Sequence, residues 1–190
     1  MLVSALAAAA LAGCATTASV HADYVKATTE TPKVDGHAVI MVDRKQTLTG
    51  NPESLTGAAL TLTEPVGEIM ATTAKTVLDA GFSGQSELAD QPKPDAYAVA
   101  LRVQGFSYKF DQLSNLGFAI TPKVTVAVAA DVTAPQGRGE LHKTYERKDF
   151  KGETYLMSFN PTEKVNRALH LALADILQEL MRDIAALKGP

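Results

Sequence analysis

The sequence predicts an α+β fold: a two-layer sandwich in which an antiparallel sheet of three to five strands carries two helices on one face. Two periodicities lead there. Apolar side chains recur every 3.6 residues over residues 65–80 and 161–188, and they alternate with a period of two between residues 97 and 132. Each helix then has one apolar stripe and the sheet one apolar face. Laying the stripes on the face covers both.

The elements follow in order. His37-Ala38-Val39-Ile40-Met41-Val42 is a short apolar run between Asp35-Gly36 and Asp43-Arg44 and reads as a buried strand. A polar stretch with Asn51-Pro52 and Gly57 separates it from a second short strand at 58–62. Pro65 suits the first position of a helix, where its missing N–H is not needed. Val66, Ile69, Met70, Thr73, Val77 and Ala80 continue that helix on one face, and Gly81 is placed to end it in the left-handed conformation. After the Pro-containing loop 91–95, Tyr97, Val99, Leu101 and Val103 share a face, and Phe106, Tyr108 and Phe110 share one with the opposite parity. Gln104-Gly105 lies at the switch, and one extra residue there would return both sets to the same side as a β-bulge.

Ser114-Asn115-Leu116-Gly117 reads as a hairpin turn. Phe118, Ile120, Val124, Val126, Val128, Ala130 and Val132 then occupy even positions of the next strand, with Pro122 marking an edge or kink near its start. After the turn 135–139, residues 140–150 form a polar strand whose charges suit an exposed edge. Asn160, Pro161 and Glu163 open the last helix as N-cap, N1 and N3. Its apolar stripe runs through Val165, Leu169, Ala172, Leu173, Ile176, Leu180, Ile184 and Leu187 to an end at Gly189.

Composition narrows the function classes. Hydrophobic residues make up 46% and charged residues 21%, the ordinary balance of a globular domain. A net charge of −3 lacks the excess of Lys and Arg that a nucleic-acid partner requires. One cysteine, Cys14, excludes an intramolecular disulfide and a thiolate metal site.

That cysteine follows MLVSALAAAALAG, an uncharged apolar run too short to span a bilayer and of the length of a secretory h-region. Leu11-Ala12-Gly13-Cys14 resembles the lipobox of bacterial lipoproteins. The resemblance implies a signal peptide over residues 1–13, a diacylglycerol on the Cys14 thiol and cleavage before it. Ala15, where Asp would favour the inner membrane in enteric bacteria, implies the outer membrane. Residues 14–35, rich in Thr, Ala and Ser, read as the lipidated cysteine and a flexible tether with a root-mean-square span of about 25 Å. Residues 36–190 then form a single periplasmic domain.

The lipobox, the strand HAVIMV, the helix after Thr63-Glu64-Pro65, the long hairpin, the segment KTYERKDFKGE and the last helix with Asp175-Ile176 together resemble the YajG-like family of bacterial lipoproteins. The likeness covers nearly all of residues 37–187 and is one of layout. It implies a membrane-anchored envelope protein with no catalytic residue to carry over and no cofactor. A more distant likeness is to LptE-type lipopolysaccharide-assembly lipoproteins and to auxiliary lipoproteins of envelope transporters, which implies the alternative of a lipopolysaccharide or lipid transport accessory.

The remaining chemistry agrees with a protein that is not an enzyme. His21, His37, His142 and His170 show no close pair with zinc-ligand spacing, Ser83 lacks the full Gly-x-Ser-x-Gly elbow, and Gly137-Arg138-Gly139 precedes a strand where a phosphate cradle precedes a helix. Lys143, Tyr145 and Arg147 alternate onto one face of the polar strand and are the candidate partner-binding residues. Cations around an aromatic ring suit lipopolysaccharide phosphates, and a free edge accepts an added strand from an envelope protein.

Overall fold

The longest strands set the frame of the structure, a computed structural model that describes residues 16–26, 33–50, 61–111, 119–156 and 161–187. The predicted lipobox with Cys14, the turn at 114–117, Asn160 and Gly189 lie outside those residues. In chain order the elements are β1 (Thr16–Thr17), β2 (Ala38–Val42), β3 (Leu48–Gly50), β4 (Leu62–Glu64), α1 (Val66–Gly81), β5 (Glu87–Leu88), β6 (Tyr97–Asp111), β7 (Ala119–Thr133), β8 (Glu140–Lys151), β9 (Tyr155–Leu156) and α2 (Pro161–Ala186).

β6 and β7 pair antiparallel from Ala98↔Thr133 to Asp111↔Thr121. Their register shifts between Val103 and Gly105, so Gln104 is the extra residue of a bulge. Tyr97, Val99, Leu101 and Val103 before it, and Tyr108 after it, are all buried in one core with Val124, Val126, Val128, Ala130 and Val132 of β7. The bulge thus keeps one apolar face through a change of parity.

The main sheet has the order β5-β2-β6-β7-β8, with β9 pairing to β7 beyond the end of β8. It is mixed, which corrects the expected antiparallel sheet. β2 runs parallel to both β6 and β5. The cause is α1: a strand, a helix and a return strand form a crossover, and a crossover makes the two strands parallel. β1, β4 and β3 form a separate small sheet in which β1 is parallel to β4. β8 is an edge strand, as its charge predicts.

α1 and α2 cover the apolar face of the sheet. Val66, Ile69, Met70, Val77 and Leu78 of α1 meet Leu169, Leu173, Ile176, Leu177 and Leu180 of α2 in a single cluster. Two glycines mark close approaches. A Cβ at Gly67 would stand 2.0 Å from the Asp43 carbonyl oxygen, so α1 starts hard against the connection after β2. Gly81 is the last helical residue of α1 rather than a left-handed one after it, and a Cβ there would meet the Met181 side chain at 2.5 Å. Its smallness lets α2 approach. Pro122 also differs from expectation. It lies on the central strand β7, where one neighbour changes from β9 to β8, and its carbonyl accepts the Gly152 N–H at 2.8 Å.

The tether is the largest correction. Residues 16–26 are packed on the domain, with Val25 in the core, and Val34 is also fully buried. Apolar Val25 and Val34 find seats that polar Thr and Ser neighbours do not advertise.

Candidate functional site

Three arrangements of chemistry-bearing side chains stand out. The first contains the candidate residues of the polar strand. Lys143, Tyr145 and Arg147 do share a face of β8, and that face is turned to α2. Asp175, Glu179 and Asp183 form a matching acidic stripe there, one residue per turn. Lys143 Nζ donates to Asp183 Oδ2 at 2.8 Å and to Glu179 Oε1 at 3.0 Å. The Tyr145 hydroxyl donates to Asp183 Oδ2 at 2.6 Å, and Lys143 Nζ lies 4.5 Å from the Tyr145 ring centroid. Arg147 Nη2 donates to Glu179 Oε2 at 2.8 Å, and its Nε is bonded to Asp175.

Tyr145 is 2% exposed. Burial first, and then the bond to Asp183, push its hydroxyl far above the ordinary tyrosine value. The bonds from Arg147 and Lys143 hold Glu179 below the usual carboxylate range. Burial pushes Asp183 up, and the bonds from Lys143 and Tyr145 outweigh it, so that carboxyl is lowered too. The expected partner face is therefore a zipper between strand and helix. Sequence shows which side chains share a face, and it does not show which side of the sheet the last helix takes.

The second arrangement joins the N-terminal segment to α2. Ala18 N–H donates to the Thr63 carbonyl at 3.2 Å, continuing the β1–β4 pairing. The His21 N–H donates to His170 Nε2 at 3.4 Å. His21 stacks on Tyr24 at 4.5 Å, Tyr24 meets His170 edge-on at 5.3 Å, and Arg167 lies 5.5 Å from the Tyr24 ring. Beneath this clasp is a buried polar pair. Asn166 Nδ2 donates to Glu64 Oε2 at 2.7 Å, while Glu64 Oε1 and Asn166 Oδ1 have no partner. Burial raises the Glu64 carboxyl to about 7, although the Asn166 bond pulls the other way. Burial also lowers His170, whose Nδ1 is 3.0 Å from the Asn166 carbonyl oxygen. None of these residues was singled out as a cluster from sequence. Sequence puts Asn166 one turn before His170 and Glu64 just before Pro65, but it does not show that the two elements meet.

The third is a groove of about 540 Å³ on the sheet face turned away from the helices. Its floor is Met41, Ala98 and Ala100. Pro92 to Ala96 form one wall and Ala134 to Gly137 the other, and Gln136 N–H donates to the Pro94 carbonyl at 3.2 Å between them. Gln136 and Gly137 are both left-handed, with φ of 59° and 68°. The charges at the rim are paired: Asp131 with His142 at 2.7 Å and Lys93 with Glu87 at 2.5 Å. The Asp131 bond raises the His142 pKa. This lining suits an apolar guest.

Among the described residues, no three His, Cys, Asp or Glu side chains gather as metal ligands would, and no helix is long and apolar enough to cross a membrane.

No family model matches the sequence, and no curated protein matches it. Solved structures do. A Xanthomonas campestris protein described under the family model DUF330 aligns over 90% of this chain and 95% of its own, with 14% identity and a TM-score of 0.51. A minor lipoprotein from Acinetobacter baumannii aligns over 84% of this chain and 97% of its own, with 15% identity and a TM-score of 0.35. The first shares the fold with this chain. The second superposes too loosely to bear on fold or function.

Proposed function

We propose that the chain is a lipid-anchored protein of the bacterial cell envelope. Acyl chains on Cys14 hold it in the outer membrane, its domain lies on the periplasmic face, and it acts by binding, without catalysis. The observation that carries this reading is Leu11-Ala12-Gly13-Cys14, directly after an uncharged apolar run and containing the chain's one cysteine. A diacylated cysteine supplies the two hydrophobic chains that stable anchoring takes. The layout shared with the YajG-like family supports the same reading.

Binding is favoured over catalysis by the state of the polar groups. The acids of α2 that meet β8 are neutralised by Lys143 and Arg147, and the rim charges of the groove by each other. A general base needs a reachable proton and a free lone pair. The test of the anchor is Cys14→Ser. It leaves the domain folded and moves it from the membrane fraction to the soluble one, while mass spectrometry of the parent finds an acylated N-terminal cysteine. Membrane partitioning of an unmodified N-terminus sinks the idea.

The groove favours one second reading, a lipid or lipopolysaccharide transport accessory. Such a role needs an apolar recess, and Met41, Ala98 and Ala100 floor one.

A further inference from the structure

β8 is an edge of the main sheet, and among the described residues it pairs with β7 alone. Its inner side chains, Lys143, Tyr145 and Arg147, are engaged by α2. Glu140, His142, Thr144, Glu146 and Lys148 alternate with them and so point away from the helices, and all five are exposed. Their ion pairs stay on that outer face. His142 lies 2.7 Å from Asp131 and 3.6 Å from Glu140, and Lys148 lies 3.3 Å from Glu146.

The order of these charges inverts about its own centre. Around Thr144, Glu140 is mirrored by Lys148 and His142 by Glu146. Directly opposite residues of an antiparallel pair share a face, with Cβ atoms about 4.5–5.5 Å apart. Two copies of β8 laid edge to edge about a two-fold axis through Thr144 therefore set Glu140 against Lys148 and His142 against Glu146, each twice. On the helix side Lys143 falls opposite Tyr145 and Leu141 opposite Arg147, which brings no like charges together. Moving the axis by one residue undoes this. Centred on Lys143, Glu140 meets Glu146. Centred on Tyr145, His142 meets Lys148 and Lys143 meets Arg147. Like charges directly opposite disfavour both registers.

The ends of the strand and of the sheet limit the assembly. The β7–β8 register shifts between Val124 and Val126, so β8 bulges at Lys148-Asp149, where Asp149 has a φ of 52°. A bulge bends the strand and terminates regular pairing. The opposite edge of the sheet is β5, with two residues, too short to template another chain. A two-fold contact uses the same patch on both copies and closes at two.

We propose that the protein forms a homodimer through antiparallel pairing of β8 with β8 of a second copy, centred on Thr144, which joins the two main sheets into one. The partner is a second copy because the edge is complementary to itself: a strand without the mirrored charges leaves these acids and bases unmatched. A two-fold axis perpendicular to the sheet also holds both copies of β1 at one height. The dimer does not depend on the Cys14 anchor.

The experiment uses the full chain in detergent at micromolar concentration. Analytical ultracentrifugation of the parent is expected to give a dimer. Glu140→Lys alone and Lys148→Glu alone each place like charges opposite one another twice, and each is expected to weaken the dimer about tenfold. Mixing the two variants sets acid against base again and is expected to recover the association of the parent. The register is read by mild oxidation. Thr144→Cys is expected to give a disulfide-linked dimer that the parent, with Cys14 alone, does not give, and His142→Cys is expected to give none. A monomeric parent, single variants that associate as the parent does, a mixture no stronger than its components, or crosslinking through His142→Cys without Thr144→Cys overturns the proposal.

Discussion

Glu64 is fully buried, with its Oε2 accepting from Asn166 and its Oε1 without a partner. Burial disfavours the charged carboxylate and outweighs the Asn166 bond, which is why the neutral acid is favoured and its pKa rises from the ordinary 4.5 to about 7. Between those values the folded chain holds a proton that the unfolded chain has released. The stabilisation is complete below pH 4.5, falls as pH rises, and is gone above about 7, a loss on the order of 3 kcal/mol. The other titratable groups near the pair are His170 of α2 and Tyr108 of β6. His170, lowered by burial, works in the opposite sense and costs stability as pH falls below its ordinary value. Tyr108 is raised and titrates well above this window. Glu64→Gln keeps an amide donor and acceptor toward Asn166 and removes the titration. Denaturant melts at pH 5 and pH 8 are expected to show the parent losing stability relative to this variant at the higher pH. An equal difference at both pH values would show that Glu64 does not hold its proton.

The contact of β8 with α2 changes what the Lys143–Tyr145–Arg147 face means. Reversing Lys143 and Arg147 to glutamate places two anions opposite Asp175, Glu179 and Asp183, where like charges repel across a partly buried interface. The double variant is expected to melt several degrees below the parent at low salt, with part of the loss recovered in high salt by screening. Differential scanning fluorimetry checks it, and an unchanged melt would return the face to the role of a docking surface. Most elements were legible because they carry strong periods. The α2 stripe, the even positions of β7 and the parity switch at Gln104-Gly105 each allow one solution. A strand, a helix and a strand imply a parallel pair, but the hairpin alternation that dominates the sequence reads as antiparallel throughout. What stayed illegible depends on which surfaces meet: Gly81 reads as a helix end and is a contact with Met181, and the zipper reads as an exposed edge. The clasp at His21 and Tyr24 hides in a segment whose composition is that of a linker.

At the scale of the whole molecule, the groove and the start of β1 lie toward opposite ends. β6 separates them: Gly50, paired like Thr16 with Leu62, lies against Tyr108, and from Ala100 to Tyr108 the strand advances about 26 Å at ~3.3 Å per residue. A lipid accessory and a protein-docking module then differ in what fills the recess. Ala100→Trp closes its floor without touching the core on the other face. If the guest is an acyl chain, native mass spectrometry of the parent finds a phosphatidylethanolamine complex that the variant loses. No complex with the parent speaks for a protein side chain as the guest. The N-terminal segment adds a mechanical consequence. A pull on Cys14 runs along β1, which is held beside β4 by a short parallel pairing and then by the rings of His21 and Tyr24. Val25, buried in the core, is the next hold along the chain. Load on the N-terminal segment is therefore met in turn by backbone pairing, stacked rings and a buried apolar side chain.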